Sequence, residues 1–257
     1  MSRVAIIGSS HVGALRQAAP QIADDHPTHQ FTFFAMPGAA FRRMRMDAQG
    51  VLQIHDATHG EKKLSREVNG DIFLDLKPFD RIWVIGNRYG FGRIMRLYLE
   101  HDVLEWPPAG GKRTMSEAFG AKALQTVVEE SCARIEDRFG RDNRVVMTPG
   151  PYFSESALTK GVGFDKWMSK IFVHPHAAHI EEMFETEIRD RLAARNLGLM
   201  LQPDHTRALH MATKAEFVRD ARDFRNLDRQ LTDLHHMNAA FGLELFTAFV
   251  ELHLNTG

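Results

Sequence analysis

Short apolar runs alternate with longer amphipathic stretches along most of this chain. Val4-Ala5-Ile6-Ile7 is a mostly β-branched run that stops at Gly8 and reads as a buried strand. Val12 to Ala19 reads as a helix, with Pro20 near its end. Phe31 to Ala35 forms a second strand signal, closed by Pro37-Gly38. Val51 to Ile54 and Ile72 to Leu74 are β-like pieces around a polar stretch, a pattern that predicts a hairpin insertion. Arg81 to Ile85 is a third core strand, ending at Gly86-Asn87. From about Ser116 to Phe139, the positions Phe119, Leu124, Val127, Val128, Ile135 and Phe139 share one helix face. Arg144 to Met147 is a fourth strand, followed by Pro149-Gly150-Pro151. Residues 152–176 are irregular and aromatic, and Ala177 to Asn196 is a helix dense in charge. Leu199 to Leu201 gives a short fifth strand, and a last helix spans about Asn238 to Leu252.

Apolar strands that alternate with helices predict a sheet covered on both faces. The expected fold is α/β: a three-layer α/β/α sandwich around a mostly parallel five-stranded sheet. No repeat, low-complexity segment or linker divides the chain. A single domain over 1–257 is expected, with insertions at about 48–76 and 152–196. In such sheets ligands bind beyond the carboxyl ends of the strands, so the residues just after each strand carry the functional question.

Composition narrows the classes. A formal net charge of −1 lacks the basic excess of a general nucleic-acid binder. Cys132 is the only cysteine, which excludes an intramolecular disulfide and a Cys-based structural metal site. No apolar run reaches the roughly 18 residues of a membrane span, and the apolar run after Met1-Ser2-Arg3 is too short for a signal peptide. A cytoplasmic location is expected, without nucleic-acid or membrane partners. Composition says nothing about oligomeric state.

The strand ends hold Gly8-Ser9-Ser10-His11, Pro37-Gly38-Ala39-Ala40 and Gly86-Asn87-Arg88, and Asp233-Leu234-His235-His236 precedes the last helix. Together these blocks resemble those of the SGNH (GDSL-like) hydrolase superfamily, in a divergent, bacterial-type version. That family carries a Gly-Asp-Ser-like turn after strand one, a glycine after strand two, a Gly-x-Asn after strand three, and an Asp-x-x-His before the C-terminal helix. Here Ser9 replaces the usual Asp, and Asn87 follows Gly86 directly. The resemblance implies a flavodoxin-like sheet order and a Ser10, Asp233 and His236 triad. It further implies an oxyanion hole of Ser10, Gly38 and Asn87, and a carboxylic ester hydrolase working through an acyl-enzyme. It requires no metal and no cofactor. Its implied substrates are small-molecule or glycan esters, a carbohydrate O-acetyl ester first. A glycan acyltransferase on the same fold shares all of this chemistry.

The chemistry accounts for the residue types. A serine hydroxyl needs a base to become a nucleophile, and a neutral imidazole near pH 7 is one. An aspartate fixes its tautomer. Each residue also has a plainer reading. Ser10 could cap the helix that follows, and Asp233 with His236 could be a helix-surface pair. Ser9 is the alternative nucleophile and His235 the alternative base. Asn238 reads as the N-cap of the last helix, and Asn87 as either an oxyanion donor or a turn residue. His11, Arg42 and Arg88 are candidate substrate contacts. With Arg43 and Arg45, the arginines suit an anionic substrate such as an acidic glycan, or simply a solvated face. His174, His176 and His179 resemble a zinc cluster, but nothing in the spacing completes one; a solvated loop entering a helix is the better reading. Gly8-Ser9-Ser10-His11-Val12-Gly13 is also a dinucleotide fingerprint with its middle glycine replaced. Strand two lacks the acidic end that would bind the ribose.

Overall fold

The computed structural model describes residues 2–160 and 166–255; residues 161–165 of the expected second insertion lie outside them. Five strands form the central sheet: β1 (Arg3–Gly8), β2 (Gln30–Ala35), β3 (Arg81–Asn87), β4 (Val145–Pro149) and β5 (Gly198–Leu199). Their spatial order is β5-β4-β3-β1-β2, and every pairing is parallel. The chain leaves β1 toward β2 on one side and returns to β3 on the other. That reversal is the topological switch point of a flavodoxin-like sheet, where a crevice opens beyond the strand ends. The register pairs Gly8 with Ala35 and with Ile85, so the Ser9-Ser10 turn rises directly over this crevice.

Strand residues alternate between two cores, as the pleat requires. Val4, Ile6, Trp83, Ile85 and Val146 face helices α1 (Val12–Asp25) and α6 (Ala239–His253). Ala5, Ile7, Ile82, Val84 and Met147 face α3 (Phe91–Glu100), α4 (Glu117–Phe139) and α5 (Ala177–Ala193). Near-continuous burial of these strands explains why they read as unbroken apolar runs. Trp83 anchors the first core: its ring stacks on Phe249 with centroids 4.1 Å apart, and its indole N–H donates to Thr148 Oγ1 at 2.8 Å. Helices α1 and α6 approach so closely that a Cβ on Gly242 would lie 2.3 Å from the Ala14 carbonyl oxygen. Any larger residue there would force the two helices apart.

Several element boundaries differ from the sequence expectation. Helix α1 runs through Pro20 to Asp25. Pro20 is exposed, so its missing N–H is tolerated, and burial of Ile22 at 1% exposure holds the next turn on the core. The expected hairpin near 48–76 is a three-stranded antiparallel sheet of Met44–Met46, Val51–Ile54 and Phe73–Asp75, interrupted by helix α2 (His59–Asn69). Helix α2 starts at a capping box: the Glu61 N–H donates to Thr58 Oγ1, and the Thr58 N–H donates to Glu61 Oε2. The fifth strand spans only Gly198–Leu199, although the Met200 N–H still donates to the Met147 carbonyl. Ser116 and Asn238 cap α4 and α6 through their side chains. Among the described residues no helix is long and apolar enough to cross a membrane.

Candidate active site

The turn after β1 places Ser10 outside the helix that follows. His11 is the N-cap residue of α1 and makes no side-chain cap bond, while the Val12 and Gly13 N–H groups donate to the Ser9 and Ser10 carbonyls. The Ser10 hydroxyl is therefore not used as a cap. It lies 2.8 Å from His236 Nε2. His236 Nδ1 lies 2.6 Å from Asp233 Oδ2. One tautomer satisfies both contacts: the Nδ1–H donates to the carboxylate, and Nε2 accepts the serine proton. Ser10 and His236 are thus joined across 226 positions of sequence.

Asp233 and His236 do not sit on a helix. They lie in a bent loop before α6, which is anchored from both cores. Leu234 is buried with the α3–α5 core, and Met237 with the α1–α6 core. The Leu234 carbonyl accepts from the Ser154 N–H at 2.8 Å, and the Asn238 side chain donates to the Glu216 and Arg219 carbonyls. Asp233 Oδ1 accepts the N–H groups of both His235 and His236. Burial alone would raise the Asp233 pKa. The bonds from the His236 ring and the His235 backbone outweigh it and hold the carboxyl well below its usual range.

The alternatives to these residues are placed elsewhere. Ser9 is 6% exposed and packs under the β3 turn: Gly86 has φ 103°, and a Cβ there would sit 2.4 Å from Ser9 Oγ. The His235 ring packs edge-on against Phe153, whereas the contact to the Ser10 hydroxyl is made by His236. Asp233, His235 and His236 each offer a ligand atom within 4.8 Å of the others. A cation there would compete for the atoms that link His236 to its carboxylate. His174, His176 and His179 form no such group among the described residues; His176 Nε2 contacts the Pro107 carbonyl at 2.7 Å, and the His176 and His179 rings pack on Trp106. His205 pairs with Glu244 at 2.8 Å. Cys132 is buried, and that burial pushes its thiol up to about 12, which leaves it unreactive.

Around the Ser10 turn, the Asn87 side chain is oriented from one end. Its Oδ1 accepts from Arg138 Nη1 at 3.3 Å, while its Nδ2 is buried without a partner among the described residues. Arg138 in turn donates to the Met44 and Phe41 carbonyls. Gly38 opens the short helix Gly38–Phe41, and neither its N–H nor that of Ser10 is committed to another described group. Arg88 Nη2 contacts His11 Nε2 at 3.2 Å, and Arg88 Nη1 donates to the Pro151 carbonyl at 2.7 Å. The His11 ring lies 5.6 Å from that of His236. Burial first, then the charge of Arg88, holds His11 well below its ordinary value and hence neutral. Arg42 is exposed, Arg43 pairs with Glu61, and Arg45 is exposed on Met44–Met46. Arg138, unremarked in the sequence, belongs with these residues; only long-range packing brings α4 under Asn87, so no local pattern announces it.

At Gly13, the third glycine position of the dinucleotide pattern, a Cβ would contact the Arg222 carbonyl at 3.2 Å and Phe224 at 3.3 Å, so the close approach there is to this chain's own backbone and side chains.

No family model matches the chain, and no curated protein matches it. Among solved structures, an extracellular lipase from Streptomyces rimosus is similar over 98% of this chain and 99% of the lipase chain, at 12% identity and a TM-score of 0.43.

Proposed function

We propose that this chain is a serine-dependent carboxylic ester hydrolase of the SGNH type. The observation that carries the reading is the unbroken sequence of contacts from Asp233 through His236 to Ser10, at 2.6 and 2.8 Å. In this reading Ser10 Oγ attacks the ester carbonyl as its proton passes to His236 Nε2. Asp233 stabilises the imidazolium that results. The negative oxygen of the tetrahedral intermediate takes hydrogen bonds from the Ser10 and Gly38 N–H groups and from Asn87 Nδ2. The unpartnered, buried state of that amide supports a donor held ready for charge that appears only during reaction. Collapse of the intermediate breaks the ester C–O bond, and His236 returns the proton to the departing alcohol. A water activated by the same imidazole then hydrolyses the acyl-Ser10 ester. A carbohydrate O-acetyl ester is the first substrate to try.

The test needs no knowledge of substrate. The protein is treated with a fluorophosphonate at about neutral pH, where a His base is neutral, and the adduct is mapped by mass spectrometry. The expected result is a single adduct on Ser10 that disappears in His236→Ala. An intact, folded protein without an adduct overturns the proposal. Product partition between water and added sugar acceptors then separates hydrolysis from acyl transfer.

A further inference from the structure

Several buried or part-buried guanidinium groups in this protein are paired with carboxylates, while Arg16 donates to the Phe224 and Val68 carbonyls instead. Arg207 meets Glu181 and Glu185 at 3.1 and 3.0 Å, and Arg195 meets Glu129 and Glu136 at 2.5 and 3.0 Å. This is the expected pattern, because an uncompensated charge in a low-dielectric environment is strongly unfavourable. One cavity departs from it with several arginines at once. A cavity of about 190 Å³ next to the Ser10 crevice is bounded by Arg42, Asn87, Arg88, Tyr89, Arg134 and Arg138, with no acidic residue in its wall. Among the described residues, Arg42, Arg88 and Arg138 have no carboxylate within ion-pair distance; Arg134 reaches Glu130 only at 4.0 Å, with its side chain 60% exposed.

The polar groups of this cavity are also under-used. Arg88 donates to one carbonyl and one imidazole and lies over the Phe153 ring at 5.0 Å, and its Nε has no hydrogen-bond partner among the described residues. The Tyr89 hydroxyl is buried without a hydrogen-bond partner among the described residues, in a side chain 2% exposed. Tyr89 also holds φ 46°, in the left-handed region that a bulky residue rarely adopts. Backbone strain of this kind persists where the surroundings impose it, and it clusters at ligand sites. Concentrated positive charge, idle donors and a strained turn are the features of a site built for an anion.

The cavity adjoins the proposed catalytic groups. Asn87 belongs to both. Arg42 Nη1 lies 3.6 Å from where a Cβ of Gly38 would be, and Arg88 touches His11, the neighbour of Ser10. We propose that this cavity binds an oxyanion group of the substrate, a carboxylate or a phosphate, while the ester lies over Ser10. The planar forks of Arg42, Arg88 and Arg134 suit either anion through paired hydrogen bonds. Arg138, fully engaged with the Phe41 and Met44 carbonyls and Asn87, supplies fixed charge from behind. The proposal rests on the hydrolase reading for its substrate, but the anion site can be measured without catalysis.

The Ser10→Ala protein is titrated by calorimetry with D-glucuronate, inorganic phosphate and D-glucose. Saturable binding of glucuronate or of phosphate, with none of glucose, is expected, and the anion that binds identifies the group. Arg88→Gln, and separately the Arg42→Gln/Arg134→Gln double variant, weaken that binding by about ten- to a hundredfold, the range for losing charge-assisted hydrogen bonds. The double variant alters outward-facing side chains and decides the matter if Arg88→Gln does not fold. Absence of anion binding, or binding that both variants leave intact, overturns the site. In catalysis, wild-type protein prefers O-acetylated glucuronate over O-acetylated glucose in kcat/KM, and the variants collapse that ratio. A parallel fall on both esters means that the arginines only support the fold, and it too overturns the proposal. A fluorophosphonate adduct on Ser10 without anion binding leaves the hydrolase reading standing and removes this one. Anion binding without an adduct does the reverse.

Discussion

Two stretches of the chain are dense in histidine, and they are built for different things. Residues 174–179 hold His174, His176 and His179, and 233–236 hold His235 and His236 beside Asp233. In the first stretch the ring nitrogens find backbone: His176 contacts the Pro107 carbonyl, and His174 Nδ1 accepts the His176 N–H. The His176 and His179 rings pack on Trp106, and the His174 ring lies edge-on to that of His176. In the second stretch one imidazole spans a carboxylate and a hydroxyl, each contact on its own nitrogen. Three histidines close in sequence therefore carry less information than one histidine with a carboxylate on one nitrogen and a serine hydroxyl on the other. The acid can be local, because an i, i+3 loop reaches back on itself. The hydroxyl cannot, and it arrives only when β1 and the segment before α6 are brought together over the switch point.

The contrast breaks first at the relay. Ser10→Ala and His236→Ala are each expected to lower turnover on an activated acetyl ester by a factor on the order of 10⁴ or more, since members of such a unit fail together. Retention of even a few per cent of activity by either variant would remove the second stretch from the chemistry. Asp233→Asn comes next, with a loss of up to about 10⁴, because an amide cannot enforce the Nδ1–H tautomer. The same variant carries a stability signature. The folded protein holds Asp233 below its ordinary value. Its contribution is therefore complete above the unfolded carboxyl pKa of about 3.9 and is lost as pH falls through the lower folded value. Urea unfolding of wild type and Asp233→Asn should give the widest gap at neutral pH and a narrowing gap below about pH 4.

Much of the fold is legible in the sequence. Strands β1, β3 and β4 are apolar runs because both of their faces are buried, and the Asn238 cap of α6 follows from a capping residue ahead of an apolar stretch. Helix α2 was also readable, because Thr58-x-x-Glu61 is a capping-box pattern; the β-like pieces on either side of it dominated the reading. Helix α3 carries Phe91, Ile94, Met95 and Tyr98 at helical spacing, a signal legible in the sequence. At the site, Asp233 and His236 were readable because their contact is local, and Ser10 because it ends a strand. Arg138, Arg134 and Tyr89 were not readable. Their relation to Asn87 exists only once α4 has packed against the turn after β3, and a helical arginine carries no mark of what lies beneath it.

The comparison sharpens at Asn87. If the second stretch works with a preorganised oxyanion donor, Asn87→Ala removes one hydrogen bond made in the transition state and lowers kcat by about 10²–10³. KM should change little, because the ground-state carbonyl does not yet carry the charge. Steady-state kinetics on an acetyl ester reads both. A loss confined to KM would mean that Asn87 holds the substrate and leaves the oxyanion to other donors. The fluorophosphonate reaction should slow in this variant as well, because the attack on phosphorus also develops charge on oxygen.

The smallest effect is expected in the first stretch, and there a near-absence of effect is the informative outcome. His176→Ala removes the contact to the Pro107 carbonyl and one of the two imidazoles packed on Trp106. The side chain is only part-buried, so the groups left behind regain water, and the stability change should stay near the ±0.5 kcal/mol or so of ordinary surface substitutions. For a chain of this size that is about 1–2 °C in Tm by scanning calorimetry. Turnover should stay within about twofold in His176→Ala and in the triple variant that also changes His174 and His179, because surface changes of this size leave the fold intact. If the triple variant instead lost turnover on the scale of His236→Ala, the two stretches would be parts of one site. The stretch from His174 to His179 would then have to reach the Ser10 crevice during the reaction. If it lost stability alone, its histidines would be what their contacts already describe: rings and ring nitrogens that fasten the start of α5 to the loop carrying Trp106.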